Sequence, residues 1–360
     1  MQDVNAQFMG KLRRSKMNKK LISGVVATAL AFSSSMTFAA GELNIFNWGN
    51  YTPPDLIEKF EKQYDIKVTL TDYDSNDTAL AKVAAGGHGF DIAVPSNSYV
   101  PIWIEKGLLL NTRVDLMPNA KNILPQFRDV SWDPGRQYSA PWQWGSTGVS
   151  VNTKYYKGDI NTSSIFLDPP DELVGQINVV PEMMDVMSMA IWYHGGEVCS
   201  DDKAMLKKVN DTLLAAKPKW KSMDYGNLAK FAAEDIYAGV NWNGASMRAR
   251  FQNETVEYGH PIEGYPLWQD AVVVLSEAKN VENAKLFQNF IMEPENAAMM
   301  SAFARYANGI IGSEEFMPDD MKGAPEIAVA EELAAKGQFI DTCPPEVTKM
   351  YTKIWTNLMK

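Results

Sequence analysis

Leu43-Asn44-Ile45-Phe46 runs into the polar turn Asn47-Trp48-Gly49-Asn50-Tyr51-Thr52-Pro53, and Pro54 to Tyr64 follows. In that last stretch Leu56, Ile57, Phe60 and Tyr64 recur at helical spacing and make one apolar face. Proline suits a first helical turn, because the N–H it lacks has no partner there. Lys67 to Tyr73 alternates and is β-branched, which predicts a strand. Asp74-Ser75-Asn76-Asp77 then offers capping side chains to a helix over 78–85, which Gly86 and Gly87 stop. Phe90-Asp91-Ile92-Ala93-Val94 reads as a further buried strand, ended by Pro95-Ser96. The pattern is β-α-β-α-β, with strands too short and apolar for a sheet that wets one face. It predicts an open parallel sheet covered by helices. Ligands of such sheets bind beyond the carboxyl ends of the strands. Trp48-Gly49-Asn50-Tyr51 and Pro95-Ser96-Asn97-Ser98-Tyr99 occupy those positions.

Working outward, the same style recurs. Strands are predicted over 148–151, 177–180 and 237–242, and an apolar run over 271–275. A methionine-rich helix is predicted from Pro181 to His194, a second from Gly244 to Arg250, and a third from Glu282 to Met292. In the third, Ala284, Phe287, Phe290 and Ile291 share the buried side. Internal repeats and low-complexity stretches are absent from the sequence.

Upstream, Met17-Asn18-Lys19-Lys20 is basic, Leu21 to Phe32 is apolar or small, and Thr37, Ala39 and Ala40 are small. This is the layout of a cleaved export signal, with cleavage after Ala39 or Ala40. The apolar run is too short for a spanning helix, which needs about 20 residues. Without residues 1–39 the formal charge moves from −10 to −15. An acidic chain repels nucleic acid and anionic membranes and attracts cations. The two cysteines, Cys199 and Cys343, form a disulfide after export or remain two buried thiols; their positions in the sequence do not decide between these. His88, His194 and His260 are scattered, with no metal-ligand spacing. A nucleophile elbow, a phosphate loop and a dinucleotide fingerprint are all missing, so neither a cofactor nor an enzymatic activity is expected.

Several segments carry a family resemblance. They are Phe46 to Pro54, Asp74-Ser75-Asn76-Asp77, Phe90 to Ser96, Tyr138-Ser139-Ala140-Pro141-Trp142-Gln143-Trp144-Gly145, Asn241-Trp242-Asn243-Gly244, Trp268-Gln269-Asp270, and Ala278-Lys279-Asn280 ahead of Glu293-Pro294-Glu295. In this order and spacing the chain resembles the bacterial spermidine/putrescine-binding proteins, the periplasmic solute-binding components of ABC transporters. The resemblance covers most of the exported chain. It implies a two-lobed α/β type II periplasmic binding protein fold, with the ligand in a cleft between lobes joined by crossover strands. Crossovers are expected near 144–148 and 270–271. Lobe one then comprises 40–145 plus 270–312, and lobe two 146–269 plus 313–360. Both cysteines fall in lobe two. The implied setting is the periplasm. The implied partners are a small cationic amine and the permease subunits of the inner membrane, with the chain acting as a monomer.

An alkyl diamine or triamine has charged ends and apolar spacers. Carboxylates suit the ends, and aromatic walls suit the stem. Asp270 is the first candidate anchor, because a carboxylate just before an apolar strand is costly unless it has a task. The resemblance makes the same position an amine-binding aspartate. Glu182 and Asp185 stand three apart on one predicted helix face among methionines and match acidic family positions. Trp48, Trp242, Trp268 and Tyr306 match the family's aromatic box, Ser96 a hydroxyl contact, and Asp341 a polar position. Gly49, Asn50 and Tyr51 complete the first cleft turn and Ser98 the second.

The departures from the family carry as much information. Gly49 stands where Thr or Ser is usual, Asn50 replaces an acid, Ser98 replaces an aromatic, and Ala245 replaces an aspartate. Arg248 lies three residues after Ala245 on the same helix face; it is either a surface residue or a partner for a ligand carboxylate. These changes favour a short diamine over spermidine and leave open a zwitterionic, amino-acid-like ligand. A ligand-sensing accessory protein would carry the same pocket.

Overall fold

β1 (Gly41–Trp48) lies between two parallel neighbours, β2 (Ile66–Tyr73) and β3 (Ile92–Ala93). The computed structural model describes residues 41–360, and the export signal read at 17–40 falls outside them. The helix Pro54–Tyr64 connects β1 to β2 and buries Leu56, Ile57 and Phe60. The helix Asn76–Ala84 connects β2 to β3. Ser75 caps it, its hydroxyl accepting from the Thr78 amide at 3.2 Å, a contact whose loss costs about 1 kcal/mol. The opening motif thus folds as its periodicity dictates, with the third strand reduced to two residues.

Seven further strands complete a ten-stranded sheet: β4 (Ser139–Asn152), β5 (Ile177–Val179), β6 (Ser222–Met223), β7 (Ala238–Trp242), β8 (Val256–Gly259), β9 (Tyr265–Val274) and β10 (Gly337–Phe339). The order is β2-β1-β3-β9-β4-β7-β5-β6, with β10 added on β9 and β8 on β4. The sheet is not parallel throughout. Its two flanks are parallel, but β9 and β4 run antiparallel to each other, β9 antiparallel to β3, and β4 antiparallel to β7. The reason lies in the length of β4. It pairs with β9 from Ser139 to Ser146 and then with β7 and β8 from Thr147 to Asn152. One strand therefore links two neighbourhoods, and the chain returns through β9.

The carboxyl ends of β1, β3, β5 and β7 converge on one cavity, where Trp48, Ser96, Glu182 and Trp242 stand. This is the position the strand rule predicts. The helix after β5 starts at Met183 rather than Pro181, so Glu182 sits at its N-cap and Asp185 in its first turn. The helix after β7 spans Asn243–Gln252.

Cys199 and Cys343 are bonded. The bond ties the loop after helix Met183–Tyr193 to a C-terminal strap that begins with β10. That strap also meets the turn after β3: Asn97 donates to the Ile340 carbonyl at 2.8 Å, and Thr342 donates to the Ser98 carbonyl at 2.5 Å. The last helix, Pro345–Met359, packs on helices Met183–Tyr193 and Lys203–Ala216.

Candidate functional site

Asp270 lies in β9 with 5% of its surface exposed. Ser96 Oγ donates to its Oδ1 at 2.6 Å. Burial pushes the carboxyl up to about 7, against the pull of Ser96 and Tyr51; the nearby charge of Asp185 adds to the push. The Tyr51 hydroxyl faces Asp270 without reaching full hydrogen-bond geometry with any partner. Asp185 receives Thr147 Oγ1 at 2.6 Å and Trp242 Nε1 at 3.1 Å, both on Oδ2. Burial raises it to about 6 despite these donors. Glu182 accepts the Asn76 amide at 3.3 Å on Oε2, while its Oε1 is buried without a partner. Burial, then Asp185 and Asp77, holds Glu182 well above the usual carboxylate range.

Three carboxyls are thus buried close together, and among the described residues no lysine, arginine or histidine pairs with any of them. Such groups destabilise a fold unless a cation arrives from outside. The resident groups do not supply a metal site: no cluster of His, Cys, Asp or Glu able to hold an ion occurs among the described residues.

Aromatic rings wall the same space in two groups. Trp48, Tyr225 and Trp242 form one, with centroids 5.3 to 6.4 Å apart. Tyr51, Tyr306 and Trp268 form the other, Tyr306 lying 5.6 Å from Tyr51 and 5.1 Å from Trp268. Trp48 is held by its Nε1 on the Val94 carbonyl at 3.0 Å, and Tyr225 by its hydroxyl on the Gly49 carbonyl at 3.0 Å. The enclosed space, its mouth included, is about 580 Å³, ordinary for a small-molecule site.

Twelve of the fourteen positions singled out in the sequence line this cavity: Trp48, Gly49, Tyr51, Ser96, Ser98, Glu182, Asp185, Trp242, Arg248, Trp268, Asp270 and Tyr306. Two do not. Asn50 takes a left-handed backbone (φ 55°) that turns its side chain to solvent; it contributes only its carbonyl, which accepts from Arg248 Nη1 at 2.9 Å. Asp341 is also exposed, receives Ser131 Oγ at 2.9 Å, and leaves its neighbour Ile340 on the wall. Arg248 therefore belongs to the cavity, not the open surface.

Asn76, Asn97, Met184, Tyr225, Leu267 and Ile340 also line the cavity and were not singled out. Asn76 had a visible signal in the capping tetrad, yet its side chain does something else. Its Nδ2 donates to Ser96 Oγ and its Oδ1 accepts the Ser96 amide, both at 3.0 Å, which aims Ser96 at Asp270. Tyr225 sits in a loop without periodicity, and nothing in its sequence neighbourhood marks it. At Gly49 an added Cβ would meet Tyr225 and Asp72 at 3.6 and 3.7 Å, ordinary contact distances. Space does not forbid a side chain there.

A two-lobed α/β receptor with a small-molecule cleft is the class this fold and cavity define. The model of the bacterial extracellular solute-binding protein family matches residues 55–329, and the chain belongs to that family. It is 28% identical to the putrescine-binding periplasmic protein SpuD of Pseudomonas aeruginosa, over 95% of this chain and 99% of that protein. It is also 28% identical to the putrescine-binding periplasmic protein PotF of Escherichia coli, over 95% and 98%. Among solved structures, a putative spermidine/putrescine ABC transporter protein from Listeria monocytogenes matches with a TM-score of 0.83 at 30% identity, over 89% of this chain and 99% of that one. The TpPotD lipoprotein of Treponema pallidum matches with a TM-score of 0.77 at 26% identity, over 88% and 99%. The fold is accordingly that of the type II periplasmic binding proteins, two α/β lobes joined by crossover strands with the cleft between them.

Proposed function

We propose that this chain captures a small aliphatic polyamine, putrescine-like in length, outside the cytoplasm and delivers it to an ABC importer. The observation that carries this reading is the set Asp270, Asp185 and Glu182, three buried carboxyls that no cationic side chain among the described residues pairs with. An incoming ammonium supplies the missing charge and donates to Glu182 Oε1, the oxygen left unpaired. The two aromatic groups flank the methylene stem and add cation–π attraction. The relatives named for putrescine support the same ligand class. Length discrimination follows from the lining: Gly49 and Ser98 bear no charge, and beyond Asp270, Asp185 and Glu182 no carboxylate lines the cavity to anchor a longer chain.

Capture proceeds by hinge closure of lobe one (40–145 plus 270–312) on lobe two (146–269 plus 313–360). The working form is a periplasmic monomer, released from its leader after Ala39 or Ala40. The permease subunits of an inner-membrane transporter receive the ligand, and no bond is made or broken. Calorimetry on refolded, ligand-stripped protein with putrescine and spermidine tests the reading. Measurable heat with putrescine and a weaker response to spermidine is expected; silence with both sinks it.

Affinity should also depend on pH. The ligand needs ionised carboxyls, and Asp270 ionises only near 7 in the free protein. Putrescine affinity is therefore expected to rise about fifty-fold from pH 5 to pH 7 through this group. The stability of the free protein runs the other way. A carboxyl raised on folding contributes stability below its unfolded value of 3.8, and that contribution fades as pH climbs to about 7. Calorimetry and thermal melts across pH 4.5 to 8 read both trends; a flat affinity profile contradicts the role given to Asp270.

A further inference from the structure

The cavity wall holds donors that a diamine cannot satisfy. Trp268 Nε1 and Arg248 Nε are both buried without a hydrogen-bond partner, and Trp268 is only 8% exposed. Indole and guanidinium nitrogens only donate, and so does an alkylammonium, so a diammonium chain offers neither of them anything. Buried donors left unpaired are costly and rare. Arg248 reaches the cavity from the helix Asn243–Gln252, steadied by its Nη1 on the Asn50 carbonyl. It has no carboxylate partner among the described residues. It adjoins the Tyr306 and Tyr225 hydroxyls, which burial pushes up and its charge pulls back. Trp268 stacks edge-on against the same Tyr306. An unpaired acceptor, Glu182 Oε1, belongs to the acidic cluster instead. The cavity is therefore polarised between the Glu182 and Asp185 carboxyls, where an acceptor is unpaired, and the unpaired donors beside Tyr306, with Asp270 close to Tyr306 as well.

We infer that the preferred ligand is an aliphatic amine whose other end carries an acceptor oxygen, a carboxylate or a carboxamide, received by Arg248 and Trp268. This rests on the reading of the site as an amine receptor and narrows it. A planar guanidinium matches a carboxylate bidentately and also donates well to an amide carbonyl. A second ammonium at that end meets the guanidinium as a like charge. Putrescine still binds through its first ammonium, but it leaves both donors unpaired.

Calorimetry on the refolded protein with four probes decides this: 4-aminobutyrate (carboxylate tail), N-acetylputrescine (carboxamide tail), putrescine (ammonium tail) and n-pentylamine (no polar tail). At least one acceptor-tailed probe is expected to bind tenfold or more tighter than putrescine and n-pentylamine. Which of the two it is tells whether the tail is anionic or neutral. In Arg248→Ala that advantage should fall at least tenfold, while putrescine tightens about threefold; the putrescine signal also proves that the variant is folded. If putrescine leads the wild-type series, or Arg248→Ala leaves the order of the probes as it was, the inference is overturned and the amine-receptor reading stands. If none of the four binds, that reading fails and takes the inference with it.

Discussion

Asp270→Asn is expected to weaken putrescine binding about 100-fold or more and, at pH 8, to raise the melting temperature of the ligand-free protein. The substitution keeps the shape of the side chain and the oxygen that accepts Ser96 Oγ, so packing is preserved and only the charge is lost. Truncating one partner of a buried, hydrogen-bonded charge pair costs about 2–5 kcal/mol; 100-fold in affinity lies within that range at roughly 2.7 kcal/mol. The opposite sign on stability comes from the same burial. Asp270 is pushed to about 7, so above that pH the free fold carries an ionised carboxyl it disfavours. An amide carries no such penalty. Asp341→Asn is the matched control, since Asp341 faces solvent away from the cavity wall. Titration calorimetry and thermal melts on both variants give the answer. Undiminished affinity in Asp270→Asn, or a lower melting temperature at pH 8, would refute the assignment.

Most of the anchor set was readable in the sequence for a physical reason. A carboxylate directly before the apolar run Ala271–Val274, inside β9, violates local economy, and Asp270 stands out on that ground alone. Glu182 and Asp185 stand out in the same way, as acids among Met183, Met184, Met187 and Met189, all of which are buried. The opening β-α-β-α-β motif was legible because its helix and strand periods are undiluted from Leu43 to Val94. The central antiparallel pair was not. β4 changes partners midway, from β9 to β7 and β8, and a run such as Pro141-Trp142-Gln143-Trp144-Gly145 carries no two-residue alternation to announce a strand.

Other positions escaped because what places them is far away in sequence. Tyr225 reaches the cavity through the Gly49 carbonyl, 176 residues from it. Ile340 reaches it because Asn97 holds its carbonyl across 243 residues. No local pattern encodes such contacts. Asn50 failed for the reverse reason. It lies in the right turn, but a left-handed backbone, which asparagine tolerates, points its side chain outward. For Arg248, helical spacing fixes a face but not what that face meets, so the sequence is compatible with both cavity and surface.

The double variant Cys199→Ser/Cys343→Ser is expected to lose about 2–5 kcal/mol of stability and some ligand affinity as well. The bond joins positions 144 residues apart. Closing a loop of that size removes conformational freedom from the unfolded chain, with an upper value of about 5 kcal/mol in the chain-entropy account. For a domain of this size the melting temperature should drop by roughly 3–8 °C. The effect on affinity has a structural route. Cys343 anchors the strap that brings Ile340 to the cavity wall and ties Thr342 to the Ser98 carbonyl. Cys199 is fixed on the other side, its amide donating to the Tyr351 hydroxyl at 3.0 Å. Freed of the bond, the strap keeps its pairing with β9 over three residues and its two hydrogen bonds to the turn after β3, but nothing covalent holds it to the loop after helix Met183–Tyr193. Putrescine affinity should therefore weaken several-fold, less than in Asp270→Asn, because one wall loosens while the carboxyl anchors stay. Saturating ligand should recover part of the lost melting temperature, since it binds only the folded chain. A melting temperature unchanged from the wild type would mean that the strap's own contacts suffice. A large stability loss with unaltered affinity would mean that the bond protects the fold without shaping the site.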